Sequence, residues 1–274
     1  MDLKKSNELG AAVLESVAVV EKLGYTPLYA ANYGSHNYNL DINNNEYQSD
    51  IDTKVIILPT LEELVNNSKP VSTTIPISTG QCDIKDIRAF IPTLLKANIQ
   101  FLEILTSKSY WINPLYAEDF LWFSNNLPCL ISECRNELLK SIKGMCYEKQ
   151  KALCHPYPTI KWKIDKWGYD GKQLHHIIRL KDFIDNYFYE KRTFHNAIWY
   201  DDEDPRRTLL MQAKLNKLPL KQAQDTAELY CELIRREVDR LSVEKESGDF
   251  RKAYQLKANE IITKNIKKKI LEEE

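Results

Sequence analysis

The stretch Asp50-Ile-Asp-Thr-Lys-Val-Ile-Ile-Leu-Pro59 constrains this chain most. Four consecutive aliphatic residues closed by a proline form a buried strand, because the body of the segment wants an apolar surround and Pro59 cannot continue a hydrogen-bonded ladder. Its entrance is charged. Strand side chains alternate with period two, so Asp50, Asp52 and Lys54 share one face. Two carboxylates held side by side repel unless a cation neutralises them, and Mg²⁺ favours one or two carboxylates completed by phosphate oxygens. The strand therefore predicts a rigid support for a metal–phosphate site.

The segments before it fit that reading. Leu9, Val13, Val17, Val20 and Leu23 recur at helical spacing over residues 7 to 23 and stop at Gly24. Pro27-Leu-Tyr-Ala-Ala-Asn-Tyr33 is suited to a buried strand ending at Gly34-Ser35, where a glycine lets the backbone approach a ligand and amides and a hydroxyl can face phosphate oxygens. A polar turn over 43 to 49 leads to the Asp50 strand. Downstream come a short helical pattern from Thr60, the β-branched run Val71-Ser-Thr-Thr-Ile-Pro-Ile, Cys82-Asp-Ile, and a long helical pattern from Asp86 to about Ser107. From Leu115 onward the period is helical, over 117–140, 142–153, 172–190, 205–216, 220–246 and 248–271. These patterns predict a mixed α/β region over 1–112 and a helical region over 113–274.

Charge narrows the partners. With 38 basic and 39 acidic residues the chain carries a formal charge of −1, too little for long-range attraction to nucleic acid. A local basic groove is still available around Lys161 to Lys172, where Lys161, Lys163 and Lys166 alternate with Trp162 and Trp167. A solvated loop with half-buried tryptophans explains the same residues. The six cysteines form no C-x-x-C pair and read as reduced core thiols of a cytoplasmic protein. No apolar run approaches bilayer length, so no membrane span is expected.

A two-metal site needs a third carboxylate, and Asp83 and Asp86 compete for it. Asp83 has apolar neighbours suited to a strand, whereas Asp86 opens a helical pattern and can serve its positive end. Singly, a Gly-Ser is a turn and an Asp-x-Asp a surface loop. In this order, Gly34-Ser35 followed by Asp50-Ile-Asp52 resembles the signature of the DNA polymerase β-like nucleotidyltransferase superfamily. Tyr33-Gly-Ser-His-Asn-Tyr-Asn-Leu40, Ser49-Asp-Ile-Asp-Thr-Lys54, Asp83-Ile-Lys-Asp-Ile-Arg88, Asn98-Ile-Gln-Phe-Leu-Glu-Ile-Leu105 and Gly168-Tyr-Asp-Gly-Lys-Gln-Leu-His-His-Ile-Ile-Arg-Leu180 resemble the predicted nucleotidyltransferases of bacteria and their phages. The match covers roughly residues 25 to 180.

The resemblance implies an α/β (α+β) nucleotidyltransferase core with a small mixed sheet, followed by a mainly helical C-terminal region. It implies that Gly34 and Ser35 contact a nucleoside triphosphate such as ATP, and that Asp50, Asp52 and Asp83 hold Mg²⁺ or Mn²⁺. Asp83 would double as general base. The acceptor hydroxyl stays open among RNA, protein and small molecule. The gap between Ser35 and Asp50 is longer than usual in the superfamily and suggests an inserted loop. Lys54 is expected at the nucleotide. Lys172, His176 and Arg179, at three-to-four spacing on one helix face, are expected either to meet the triphosphate across a cleft or to make a structural polar contact between the two regions. Adjacent His175 and His176 point to different helix faces, which speaks against zinc.

Overall fold

The computed structural model describes residues 3–44, 48–242 and 250–273. The chain packs as two compact units, one of Met1–Asn37, Asp41–Cys134 and Glu246–Glu274, the other of Tyr38–Leu40 and Arg135–Lys245. The architecture is a small mixed sheet with helices, followed by a mainly helical region. The sequence puts the boundary at 112/113, whereas the packing divides the chain after Cys134 and returns the last described helix to the first unit.

In the first unit, β1 (Thr26–Tyr33), β2 (Asp52–Leu58), β3 (Ser72–Ile77), β4 (Gly80–Asp86) and β5 (Tyr110–Ile112) form one sheet in the order β3-β4-β2-β1-β5. Only β2 and β4 run parallel, with Lys54 opposite Asp83; β1 and β2 are antiparallel, with Tyr33 opposite Asp52. Helix α1 (Leu3–Lys22) covers one face, packing Val13, Val17 and Val20 onto Ala30, Val55, Ile57, Cys82 and Ile84. A buried contact of 2.6 Å between the Ser16 and Thr53 hydroxyls fastens it.

The opposite face carries Tyr29, Tyr33, Asp52, Lys54 and Asp83, by the alternation of side chains across the same registers. Helix α2 (Leu61–Val65) follows β2, capped reciprocally by Thr60 and Glu63. The helical pattern read over 86–107 is broken into α3 (Ile87–Leu94), α4 (Ile99–Leu102) and a 3₁₀ turn, Glu103–Thr106. The break has a local cause. Ala97 takes φ 48°, and the Asn98 side chain accepts from Gln100 N to cap a new helix. Likewise the 117–140 pattern divides into α5 (Ala117–Asn125) and α6 (Leu127–Glu133), because Pro128 suits a first helical turn but not an interior.

The second unit holds α7 (Arg135–Ala152), α8 (Lys161–Trp167), α9 (Gly171–Ile184), α10 (Phe194–Ile198), α11 (Pro205–Lys214) and α12 (Leu220–Leu241). Helix α9 is its axis, with Leu174, Ile177, Ile178, Phe183 and Ile184 all buried. Gly171 starts it because a side chain there would meet the Ala213 carbonyl oxygen at 2.0 Å. A π-turn, Asp185–Tyr189, ends it.

Helix α13 (Phe250–Glu273) packs on the first unit through aromatic side chains its helical period does not advertise. Trp122 stacks on Phe250 at 5.8 Å, and Tyr254 donates to Phe123 O at 2.9 Å. The Glu133 carboxylate accepts from Phe250 N and Arg251 N and so caps the helix start. The predicted spans 220–246 and 248–271 meet in 243–249, which lies outside the described residues, as do 45–47 of the polar turn. No described helix is long and apolar enough to cross a membrane.

Candidate functional site

Strand β1 ends at Tyr33, and Gly34 then takes φ 78°, a left-handed conformation that glycine adopts without steric cost. That turn starts a 3₁₀ segment, Gly34–Tyr38, and leaves Ser35 half-exposed. The long interval to Asp50 is closed on itself: Ser49 N donates to Ile42 O at 2.8 Å, and Ile42 N donates to Ser49 Oγ at 2.9 Å. His36 Nε2 lies 3.4 Å from Ser49 O, and Asp41 receives Lys5 at 2.5 Å.

Asp50 and Asp52 do not share the strand. The ladder begins at Asp52, leaving Asp50 exposed in the segment before it. Their spacing is held by the neighbouring backbone: Ile51 N donates to Thr79 O at 2.9 Å, and Gln81 N donates to Asp52 Oδ1 at 3.3 Å. Gly80 permits this approach, since a Cβ there would lie 2.6 Å from Ile51 O.

Lys54 differs from its expected part. It is 3% exposed and ion-paired with Asp83 Oδ2 across the parallel register. Its ammonium lies 4.5 Å from the Tyr33 ring centre and 4.3 Å from that of Phe101. A cation so enclosed balances charge within the fold. Asp83 stands in β4 on the Lys54 face; Asp86 is fully buried at the junction with α3, where it caps Arg88 N at 2.7 Å and receives the Arg88 guanidinium.

Tyr33, Glu103, Phe101 and Lys85 join the site, although the spacing argument did not nominate them. Tyr33 pairs opposite Asp52 in the ladder and carries the Lys54 ammonium over its ring: burial first, then the negative charge of Asp52, Asp83 and Glu103, pushes its phenol well above the usual range. Glu103 is fully buried, and Asn37 Nδ2 donates to its carbonyl at 3.2 Å. Phe101 also receives Lys85 at 4.7 Å, and burial holds that ammonium below its ordinary value. A signal for Glu103 was present: it is the single acid in Ile99-Gln-Phe-Leu-Glu-Ile-Leu105. Buried acids demand partners.

The expected set Asp50, Asp52 and Asp83 is not assembled as a ligand cage. Among the described residues no three His, Cys, Asp or Glu side chains are grouped to hold a metal ion. The physical reason at Asp83 is its ion pair with Lys54. Asp50 is exposed before the strand, whereas Asp52 is half-buried and accepts from Gln81 N.

The second expected cluster lies in the other unit, on α9. Lys172 is exposed, and the Arg179 guanidinium lies 3.4 Å from the Tyr38 ring centre. Burial, then the charges of Arg179, His175 and Lys172, hold the His176 imidazole well below its usual range; burial and Arg179 do the same for His175. Both rings are thus neutral at pH 7. His175 Nδ1 lies 3.1 Å from Leu210 O and is the protonated nitrogen, since a carbonyl only accepts. On α8, Lys161 pairs with Asp165 at 2.6 Å and Lys163 with Asp170 at 3.1 Å.

Neither a model of a known protein family nor a curated protein matches this sequence. Among solved structures, the chain is similar to a nucleotidyltransferase-like protein from Exiguobacterium sibiricum 255-15, at 10% identity and a TM-score of 0.30, over 83% of this chain and 74% of that one.

Proposed function

We propose that the first unit is a nucleotidyltransferase, moving a nucleoside monophosphate from a nucleoside triphosphate to an acceptor hydroxyl. The observation that carries this reading is the placement of Asp52 opposite Tyr33 in the ladder and of Asp83 on Lys54, whose ammonium lies over the Tyr33 ring, next to the glycine turn at Gly34-Ser35. The turn's amides and the Ser35 hydroxyl would donate to the triphosphate oxygens. Asp50 and Asp52 would hold Mg²⁺ or Mn²⁺, which when bound neutralises phosphate charge and steadies the leaving pyrophosphate.

The acceptor oxygen bonds to the α-phosphorus as the bond to the β-phosphate oxygen breaks, and pyrophosphate leaves with that electron pair. The acceptor's proton passes to Asp83, where Lys54 occupies Oδ2 and leaves Oδ1 for the transfer. Lys54, enclosed by Tyr33 and Phe101, fixes where that carboxylate sits and makes no contact with the nucleotide in this reading. Lys172 and Arg179, with the neutral His176 between them on α9, are the cations of this cluster in the second unit, and their charge would suit a phosphate group.

The Lys54–Asp83 pair also favours a second reading, a nucleotide-binding protein without turnover, because the lysine already occupies an oxygen of the carboxylate that the transfer would use. One experiment separates the two. The protein is incubated with each α-³²P-labelled triphosphate, Mg²⁺ or Mn²⁺, and a cell extract divided into RNA, protein and small-molecule fractions. Label entering one fraction with the wild type but not with Asp50→Ala or Asp52→Ala establishes transfer and its acceptor. Nucleotide binding without label in any fraction selects the second reading; full activity in either variant removes that aspartate from the mechanism.

A further inference from the structure

Between Lys149 and Lys172 the chain carries six lysines against two aspartates, although its overall charge is −1. The same stretch presents aromatic rings to solvent. Trp162 is 57% exposed and Tyr157 46% exposed. Trp162 and Trp167 lie 5.6 Å apart at 59°, with Lys163 5.8 Å from the first ring centre and Lys166 4.5 Å from the second. Two of the lysines are balanced within α8 and its surround, Lys161 by Asp165 and Lys163 by Asp170. Lys151, Lys166 and Lys172 are exposed and have no carboxylate partner among the described residues.

This surface is built on a firm base. Tyr169, just after α8, is fully buried and donates to Leu218 O at 2.8 Å, while Asn216 Nδ2 donates to Tyr169 O at 2.8 Å. Gly168 closes α8 at φ 81°. Asp170 is buried, accepts from Lys172 N at 3.2 Å and from Gln173 Nε2 at 2.9 Å, and thereby ties α8 to α9. A large ring left in water on a fixed helix exposes apolar area without a covering partner inside the unit.

We propose that the exposed face of α8, which carries Trp162 and Lys166, together with the exposed Lys151 and Lys172 on the helices that precede and follow it, binds single-stranded nucleic acid. Every base offers a flat face to an exposed indole, and the lysines meet the phosphates that separate successive bases. A duplex keeps its bases stacked on each other and offers the indole nothing. A lipid surface would ask for aliphatic side chains beside the indole, whereas this stretch exposes His155, Pro156, Tyr157, Pro158 and Thr159. The surface supplies an acceptor class for the transfer proposed above, and rests on that reading only for that role.

The test uses the whole chain without nucleoside triphosphate, so its outcome is separate from turnover. Fluorescein-labelled oligo(U) and oligo(dT), a duplex of equal length, and phosphatidylserine vesicles are titrated with protein. Binding to either single strand with quenching of tryptophan fluorescence is expected, and the ratio of the two affinities identifies RNA or DNA as the preferred strand. Trp162→Ala, at an exposed position, should melt as the wild type does and bind roughly ten- to a hundredfold more weakly. The logarithm of affinity should fall with the logarithm of salt at a slope of about −2, as three lysines predict for a single strand, and Lys166→Ala/Lys172→Ala should flatten it by about 1.4. No single-strand binding, equal affinity for the duplex, an unaltered Trp162→Ala, or binding to vesicles in place of strands overturns the proposal.

Discussion

Replacing Lys54 by methionine should be among the most damaging single changes available in the first unit. Methionine keeps most of the stem's volume and deletes only the charge, so packing is nearly conserved. What remains is Asp83, 18% exposed at its side chain, with its ion-pair partner gone. At ion-pair contact an effective dielectric near 20 gives an attraction of about 5 kcal/mol. Breaking buried pairs by removing one partner costs about 3–5 kcal/mol, with about 1 kcal/mol more for each ring contact, here Tyr33 and Phe101. Against a typical domain stability of about 5–15 kcal/mol, this is a large fraction. The assay is a double-mutant cycle by urea denaturation, with Lys54→Met, Asp83→Asn and the two combined. The combined variant should recover most of the loss, since neither charge is then stranded, and the coupling should exceed about 2 kcal/mol. A coupling under about 0.5 kcal/mol would refute the argument that this pair is a buried electrostatic unit.

Two further outcomes are expected in the second unit. Burial raises the Asp182 carboxyl to about 6, with the Tyr200 hydroxyl donating to it at 2.9 Å. Because the folded value lies above the unfolded one of 3.8, folding favours the protonated form, so stability falls as pH rises from about 4 to about 6, by about 3 kcal/mol. Thermal melts across that window should show the fall in the wild type and a flatter profile in Asp182→Asn; equal slopes would exclude Asp182 as the source. Gly171→Ala places a methyl 2.0 Å from the Ala213 carbonyl oxygen and 2.9 Å from Asn216 Oδ1. Backbone cannot yield as a side-chain tip does, so a loss of at least about 2 kcal/mol is expected in denaturation, whereas Gly144→Ala, with open space around it, should be neutral or stabilising.

Local pattern determined the strands through Tyr33 and Leu58, the glycine turn between them, and the helical character of the second half, because periodicity and turn chemistry act within a few residues. It also gave Asp83 and Asp86 different local parts: Asp83 lies within β4, and Asp86, the last residue of that strand, caps α3. Pattern did not reveal that Asp50 lies outside the ladder, since a strand's first paired residue depends on the length of its partner, here Tyr33 opposite Asp52. Only the tertiary structure decided that Lys54 meets Asp83, 29 residues away, because a parallel register brings together residues no sequence spacing relates. The same holds for α13. Its aromatic contacts with Trp122 and Phe123 return the helix to the first unit, a choice made by the surface left uncovered there and invisible in the helix's own period.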